Sequence, residues 1–228
     1  MFDAKRLLDQ LAGSGAAGGF AGGLAGGALA SALMGKKGRK LTKSAVKVGG
    51  LALVGGLAYK AWQNHKQGAA ASAAAPAASA ATATGMTAPP VEDVPQGTGF
   101  LPAPGDEAGA QQLSQLMVRA MISAAKADGQ VDTRESGMIL QQVNSLPLDD
   151  EAKAFLFAEY SRPLDIEGLV AAVDSPEHAA EVYAASALVI HPASPAERFY
   201  LDSLARGLGL EAGLVRQLES AVASSTTA

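Results

Sequence analysis

The sequence predicts an all-α protein in three parts, and three observations carry that reading. Apolar residues recur at helical spacing through residues 106–228, and no window there alternates as a strand would. A proline-rich, almost uncharged stretch at 68–105 separates that part from the rest. Residues 1–67 are rich in glycine, apolar side chains and positive charge.

The net charge of −4 hides a division. Residues 1–67 hold ten Lys/Arg against two Asp/Glu, residues 68–105 hold only Glu92 and Asp93, and residues 106–228 hold eight Lys/Arg against eighteen Asp/Glu. A basic front and an acidic back suggest a front that sits on an anionic surface. The chain has no cysteine, which excludes disulfides, thiol catalysis and thiolate zinc sites. The mean hydropathy of +0.14 suits a globular part joined to something lipid-like.

The first element is "GSGAAGGFAGGLAGGALASALMG", residues 13–35, which carries no charge. On a helix, residues four apart lie nearly in line, so Gly15, Gly19, Gly23 and Gly27 form one column. Gly18, Gly22 and Gly26 form the next, and Phe20 and Leu24 lie off this smooth face. In water such a helix is poor, since each interior glycine costs ~1 kcal/mol against alanine. In lipid, unsatisfied backbone forces helix, and a small-residue face lets two backbones approach closely. The run would reach about 34 Å as a helix, enough for a bilayer core. A Gly/Ala linker and a cleaved signal are the competing readings, and the strict spacing of four favours a membrane helix that self-associates.

Lys36, Lys37, Arg39, Lys40, Lys43 and Lys47 follow within twelve residues. The positive-inside rule places this loop in the cytoplasm. No base-reading element accompanies it, so nucleic acid is not expected as a partner. Next comes "VKVGGLALVGGLAYKAW", residues 46–62. If Lys47 and Lys60 snorkel, it is long enough for a second span, with Tyr59 and Trp62 at the interface. A short buried or interfacial helix is the other reading. The side of the membrane on which the C-terminal part lies depends on that choice.

Residues 68–105 are expected to be a disordered Ala/Pro/Ser/Thr linker, with prolines at 76, 89, 90, 95, 102 and 104. Residues 106–228 then read as seven short helices with a core large enough to fold alone. Leu113, Leu116, Met117, Ala120, Met121 and Ala124 mark the first, which Gly129 stops. Asp132 and Glu135 form a capping box for the second. A third opens near Asp149 and ends before Pro163, and Asp165 caps a fourth. Ser175 caps a fifth with Pro176 in its first position, and Ser194, Pro195 and Glu197 repeat that pattern for a sixth. "EAGLVRQLESAVA" is the last.

The stretch "MISAAKADGQVDTRES" resembles the first helix pair of TerB-like domains, the all-α fold named for tellurite-resistance proteins. "ALVIHPASPAERFYLDSLARGLGL" resembles a signature of the YebE-like bacterial inner-membrane proteins, a family of unknown function. The glycine-rich front, basic residues, Ala/Pro linker and helical domain follow the same layout. The resemblance implies a membrane-anchored module tied to envelope or metal stress, without enzymatic activity. It also implies a divalent-metal site at Asp128, Asp132 and Glu135. Helix capping accounts for Asp132 and Glu135 without a metal, and the spacing is not that of an EF-hand. Relatives tend to carry acidic residues where this chain has His191 and Ala193.

Other chemistry is thin. His178 and Glu181 lie three apart, as in carboxylate-bridged iron sites, but no second Glu-x-x-His exists, so a solvated face is expected. There is no G-x-S-x-G, P-loop or dinucleotide fingerprint. The expectation is a membrane-tethered interaction module whose acidic bundle recruits a protein partner. No enzyme and no cofactor are expected, and a divalent-metal sensor is the alternative.

Overall fold

The computed structural model describes residues 3–13, 50–73, 98–127, 150–190 and 193–227. Eight helices account for most of them: α1 (Ala4–Gly13), α2 (Gly50–Ala73), α3 (Glu107–Ala125), α4 (Asp150–Ser161), α5 (Ile166–Ala171), α6 (Pro176–Val189), α7 (Pro195–Gly207) and α8 (Ala212–Thr227). No strand occurs among the described residues. The glycine columns at 15–27, the basic residues 36–47, His191 and the set Asp128, Asp132 and Glu135 lie outside the described residues.

α6 is the axis of the bundle. It packs on α2, α3, α7 and α8. Ala179, Ala180, Val182, Tyr183, Ala184, Ala185 and Ala187 are all buried, so the helix is covered around its whole circumference. A helix of that kind must be surrounded. Its alanines keep it narrow, which lets four neighbours close in. Tyr183 places its polar tip at the edge of the core, where its Oη donates to Glu219 Oε1 at 2.9 Å. Arg198 bonds the same carboxylate oxygen.

Local signals start and stop the helices. Asp165 accepts from Gly168 N at 2.8 Å and Ser175 from His178 N at 3.1 Å. Ser194 and Glu197 close a capping box at α7. These are the caps the sequence predicts. Asp106 is a further cap, accepting from Gly109 N at 2.9 Å, so α3 starts before its first periodic leucine. At the end of α7, Gly209 has φ +66°. The Leu210 N–H donates to Ala205 O and the Gly209 N–H to Arg206 O, the paired bonds of a Schellman motif. Lys126, just past α3, donates to the carbonyls of Glu159 and Arg162 and so closes the end of α4. Burial lowers its pKa, and Glu159 partly offsets this.

The front of the chain corrects two expectations. Of the run 46–62, residues 50–62 lie in α2, which packs on α6, α8 and α1 as the reading of a short buried helix requires and not as a second span would. Leu51, Val54, Leu57, Ala58 and Ala61 are buried there against protein. Among the described residues no helix is long and apolar enough to cross a membrane. Tyr59 and Trp62 do not mark a lipid interface. Both pack edge-on against Phe100, with centroids 5.6 and 5.8 Å apart. α2 also runs past residue 67 to Ala73, and Phe100 is buried, so both ends of the 68–105 stretch belong to the helical body. α1, which no sequence signal announced, lies on α2 and α3, with Leu7 and Leu8 fully buried. The Ala4 N–H donates to Gln111 Oε1 at 3.0 Å. The core of residues 106–228 is therefore completed by α1 and α2.

Candidate functional site

A groove of about 670 Å³ opens where three chain segments meet. The far end of α2 brings Trp62, His65 and Lys66. The α5–α6 junction brings Val170, Val173, Asp174 and Ser175, and the α7–α8 junction brings Leu208, Leu210, Glu211 and Leu214. The volume falls in the range of small-molecule and peptide sites, and the lining is mostly apolar with a few polar groups. The Gly209 turn directs Leu210 and Glu211 into the wall. Gly213 has no side chain because His65 lies over it: a methyl there would sit 2.9 Å from His65 Cε1.

The polar rim is largely paired internally. His65 Nε2 lies 3.0 Å from Glu211 Oε2. His178 Nδ1 lies 2.5 Å from Asp174 Oδ1, and this hydrogen bond holds the Asp174 carboxyl below its usual range. Lys66 Nζ stands 5.2 Å from the centroid of the Trp62 ring, a cation–π contact, with no carboxylate partner among the described residues.

A second polar feature lies beside the groove, inside the fold. Glu181 is fully buried on α6, and neither carboxylate oxygen has a hydrogen-bond partner among the described residues. Burial, reinforced by Glu177 one turn earlier, pushes its pKa up to about 9. The expectation of a solvated His178/Glu181 face is thus wrong for Glu181. His178 turns to Asp174, and the two residues do not form a joint site. The sequence held a weak signal: Glu181 sits inside the apolar run "AAEVYAASALVI", where an outward face has no other polar members.

Among the described residues no three His, Asp or Glu side chains converge in a way that could hold a metal. The structure does not bring the sequence-predicted residues Asp128, Asp132 and Glu135 into view.

Fold and groove together define a helical bundle built around a buried alanine-rich helix, with an open lateral groove. A family model described as "Protein of unknown function (DUF533)" matches residues 19–222, and the chain belongs to that family. An uncharacterized protein in the ampR 5' region of Yersinia enterocolitica is 29% identical over 97 residues, covering 42% of this chain and 70% of the relative. No solved structure matches the chain.

Proposed function

We propose that the protein is a membrane-tethered interaction module of the YebE-like type, with a TerB-like bundle, that offers its groove to a protein partner. The groove carries this reading. Its apolar floor suits aliphatic or aromatic side chains of an incoming segment. Its rim offers Lys66 on one wall and two carboxylates, Asp174 and Glu211, on the others. Such a mixed rim fixes orientation more than it adds affinity.

The tether is the uncharged run 13–35, flanked by the cations at 36–47. α1 and α2 both lie on one helical body. A single crossing of the bilayer would put α1 and the bundle on opposite sides. The positive-inside rule makes the side of the 36–47 cations cytoplasmic, and a bundle held with α1 on that side agrees with it. The location is the inner membrane of a bacterium, with the bundle in the cytoplasm. Gly15, Gly19, Gly23 and Gly27 provide a surface for self-association within the membrane.

Fractionation tests the tether. The full-length chain is expected to stay with membranes through alkaline carbonate extraction, and protease added outside intact spheroplasts is expected to spare the bundle. Recovery in the carbonate supernatant, or external cleavage of the bundle, would overturn it. A photo-crosslinker at Leu210 tests the groove. It is expected to give one discrete adduct in intact membranes that Trp62→Ala removes. An adduct pattern indifferent to Trp62→Ala would sink the groove reading.

A further inference from the structure

We propose that Glu181 is a proton-operated latch: as the neutral acid it lets α2 and residues 98–101 close over α6, and its ionisation releases them and with them the Trp62 wall of the groove. The geometry of a three-way junction carries this. A methyl on Gly55 of α2 would sit 3.0 Å from Glu181 Oε1 and 3.4 Å from both the Phe100 carbonyl oxygen and the Leu101 side chain. The carboxyl group is thus seated where α6, α2 and the 98–101 segment converge. One turn earlier, Glu177 backs the turn at Gly99, whose φ is +79°; a methyl there would meet Glu177 Cγ at 3.2 Å.

Among the described residues no cation is placed to neutralise an ionised Glu181. On its own helix the acting group is Glu177, a like charge. α2 meets it with Gly55, while farther along α2 His65 is bonded to Glu211 and Lys66 stands over Trp62. Lys60 forms no ion pair with it, and residues 98–101 contain no ionisable side chain. On the remaining neighbours of α6, Arg119 of α3 pairs with Glu159, and Arg198 of α7 pairs with Glu219 of α8, which also takes the Tyr183 hydroxyl. A buried carboxylate without a partner is among the most costly groups a core can hold.

The pH window follows from the raised pKa. Unfolded, the group titrates near 4.5; folded, near 9. Below pH 4.5 it is neutral in both states and the closed form carries no penalty. Between those values the open or unfolded chain releases a proton that the closed form must keep, so closure weakens as pH rises, and above about 9 the closed form holds an unpaired charge. The consequence reaches the groove through two aromatic contacts. Phe100 packs edge-on to Trp62, and Trp62 lines the groove. Movement of 98–101 removes the ring that holds Trp62 in place.

Trp62 is the only tryptophan of the chain, so its fluorescence reports the latch directly in the full-length protein. No partner is needed, and the outcome is independent of what the groove binds. With rising pH, Trp62 emission is expected to shift to the red and its quenching by acrylamide to increase, the transition falling within the window from pH 4.5 to about 9. Glu181→Gln, which cannot ionise, is expected to abolish that transition. A wild-type protein without the transition, or a Glu181→Gln protein that keeps it, overturns the latch. Hydrogen exchange on the wild-type chain covers the case in which the variant fails to fold. Relative to their intrinsic rates, the Phe100 and Leu101 amides are expected to lose protection as pH rises through that window while α6 amides keep theirs. Unchanged protection at Phe100 and Leu101 overturns it equally.

Discussion

Gly55 lacks a side chain because of what lies on another helix. As a helix-interior position it should favour alanine by ~1 kcal/mol. A methyl there would press on Glu181 Oε1 at 3.0 Å, with the Phe100 carbonyl 3.4 Å away. Overpacking of a filled site costs roughly 1–3 kcal/mol, which outweighs the propensity gain. Gly55→Ala is therefore expected to lower the denaturant midpoint by the equivalent of about 1 kcal/mol. The double variant Gly55→Ala/Glu181→Ala should recover most of that loss, because the two changes share one contact. Simple additivity in the cycle would show that the pressure comes from elsewhere. Tyr200 illustrates a buried polar group with a milder arrangement. Burial pushes its pKa up to about 12, yet its hydroxyl lies 3.4 Å from Ser186 Oγ.

At the scale of elements, the two glycine-bearing runs of the front part ways. In α2 the small surface at Gly55 packs on α6 within the bundle. The same device that serves lipid-embedded helices serves a protein core, because both reward close backbone approach. The run at 13–35 has the longer column, Gly15 to Gly27, and no acidic or basic residue. If that column is a packing face, Gly23→Ile should lower self-association in a membrane two-hybrid assay, while Leu24→Ile should not. Membrane insertion should survive both, since isoleucine is more lipophilic than glycine. Equal association of both variants with the native chain would make the spacing of four an accident of composition.

For the whole molecule, the decisive fact is that α1 and α2 complete the core of the C-terminal helices. Leu7 and Leu8 are each fully buried, and a buried leucine contributes roughly 1.5–3 kcal/mol. Against a total stability of roughly 5–15 kcal/mol, losing both is a large fraction. α2 contributes five more buried apolar residues between Leu51 and Ala61, together with the cover over Glu181. Residues 106–228 alone are thus expected to melt well below the full-length chain and to bind a hydrophobic dye. Residues lacking only α1 should fall between. Circular dichroism melts of the three chains check the order, and equal melting temperatures would mean that the front merely rests on a self-sufficient bundle.

The sequence by itself determined what is local. Caps at Asp165, Ser175 and Ser194 are written within four residues of the helices they start, so they were legible without the fold. The same holds for the all-α class and for the division of charge, since periodicity and composition need no knowledge of neighbours. Only the tertiary structure decided what covers each apolar face. An apolar run such as 46–62 demands removal from water, and lipid and protein satisfy that demand equally, so the run could not announce that its residues 50–62 would lie in a helix packed on α6. Phe100 read as part of a linker because its partners, Tyr59 and Trp62, stand about forty residues away. Glu181 read as surface because a carboxylate in water is the default, and its burial depends on Gly55 and residues 98–101 arriving from two distant stretches of chain. The groove exists in none of its three segments singly. It arises from the way the ends of α2, α5 and α7 are brought together, a matter of packing that no local pattern encodes.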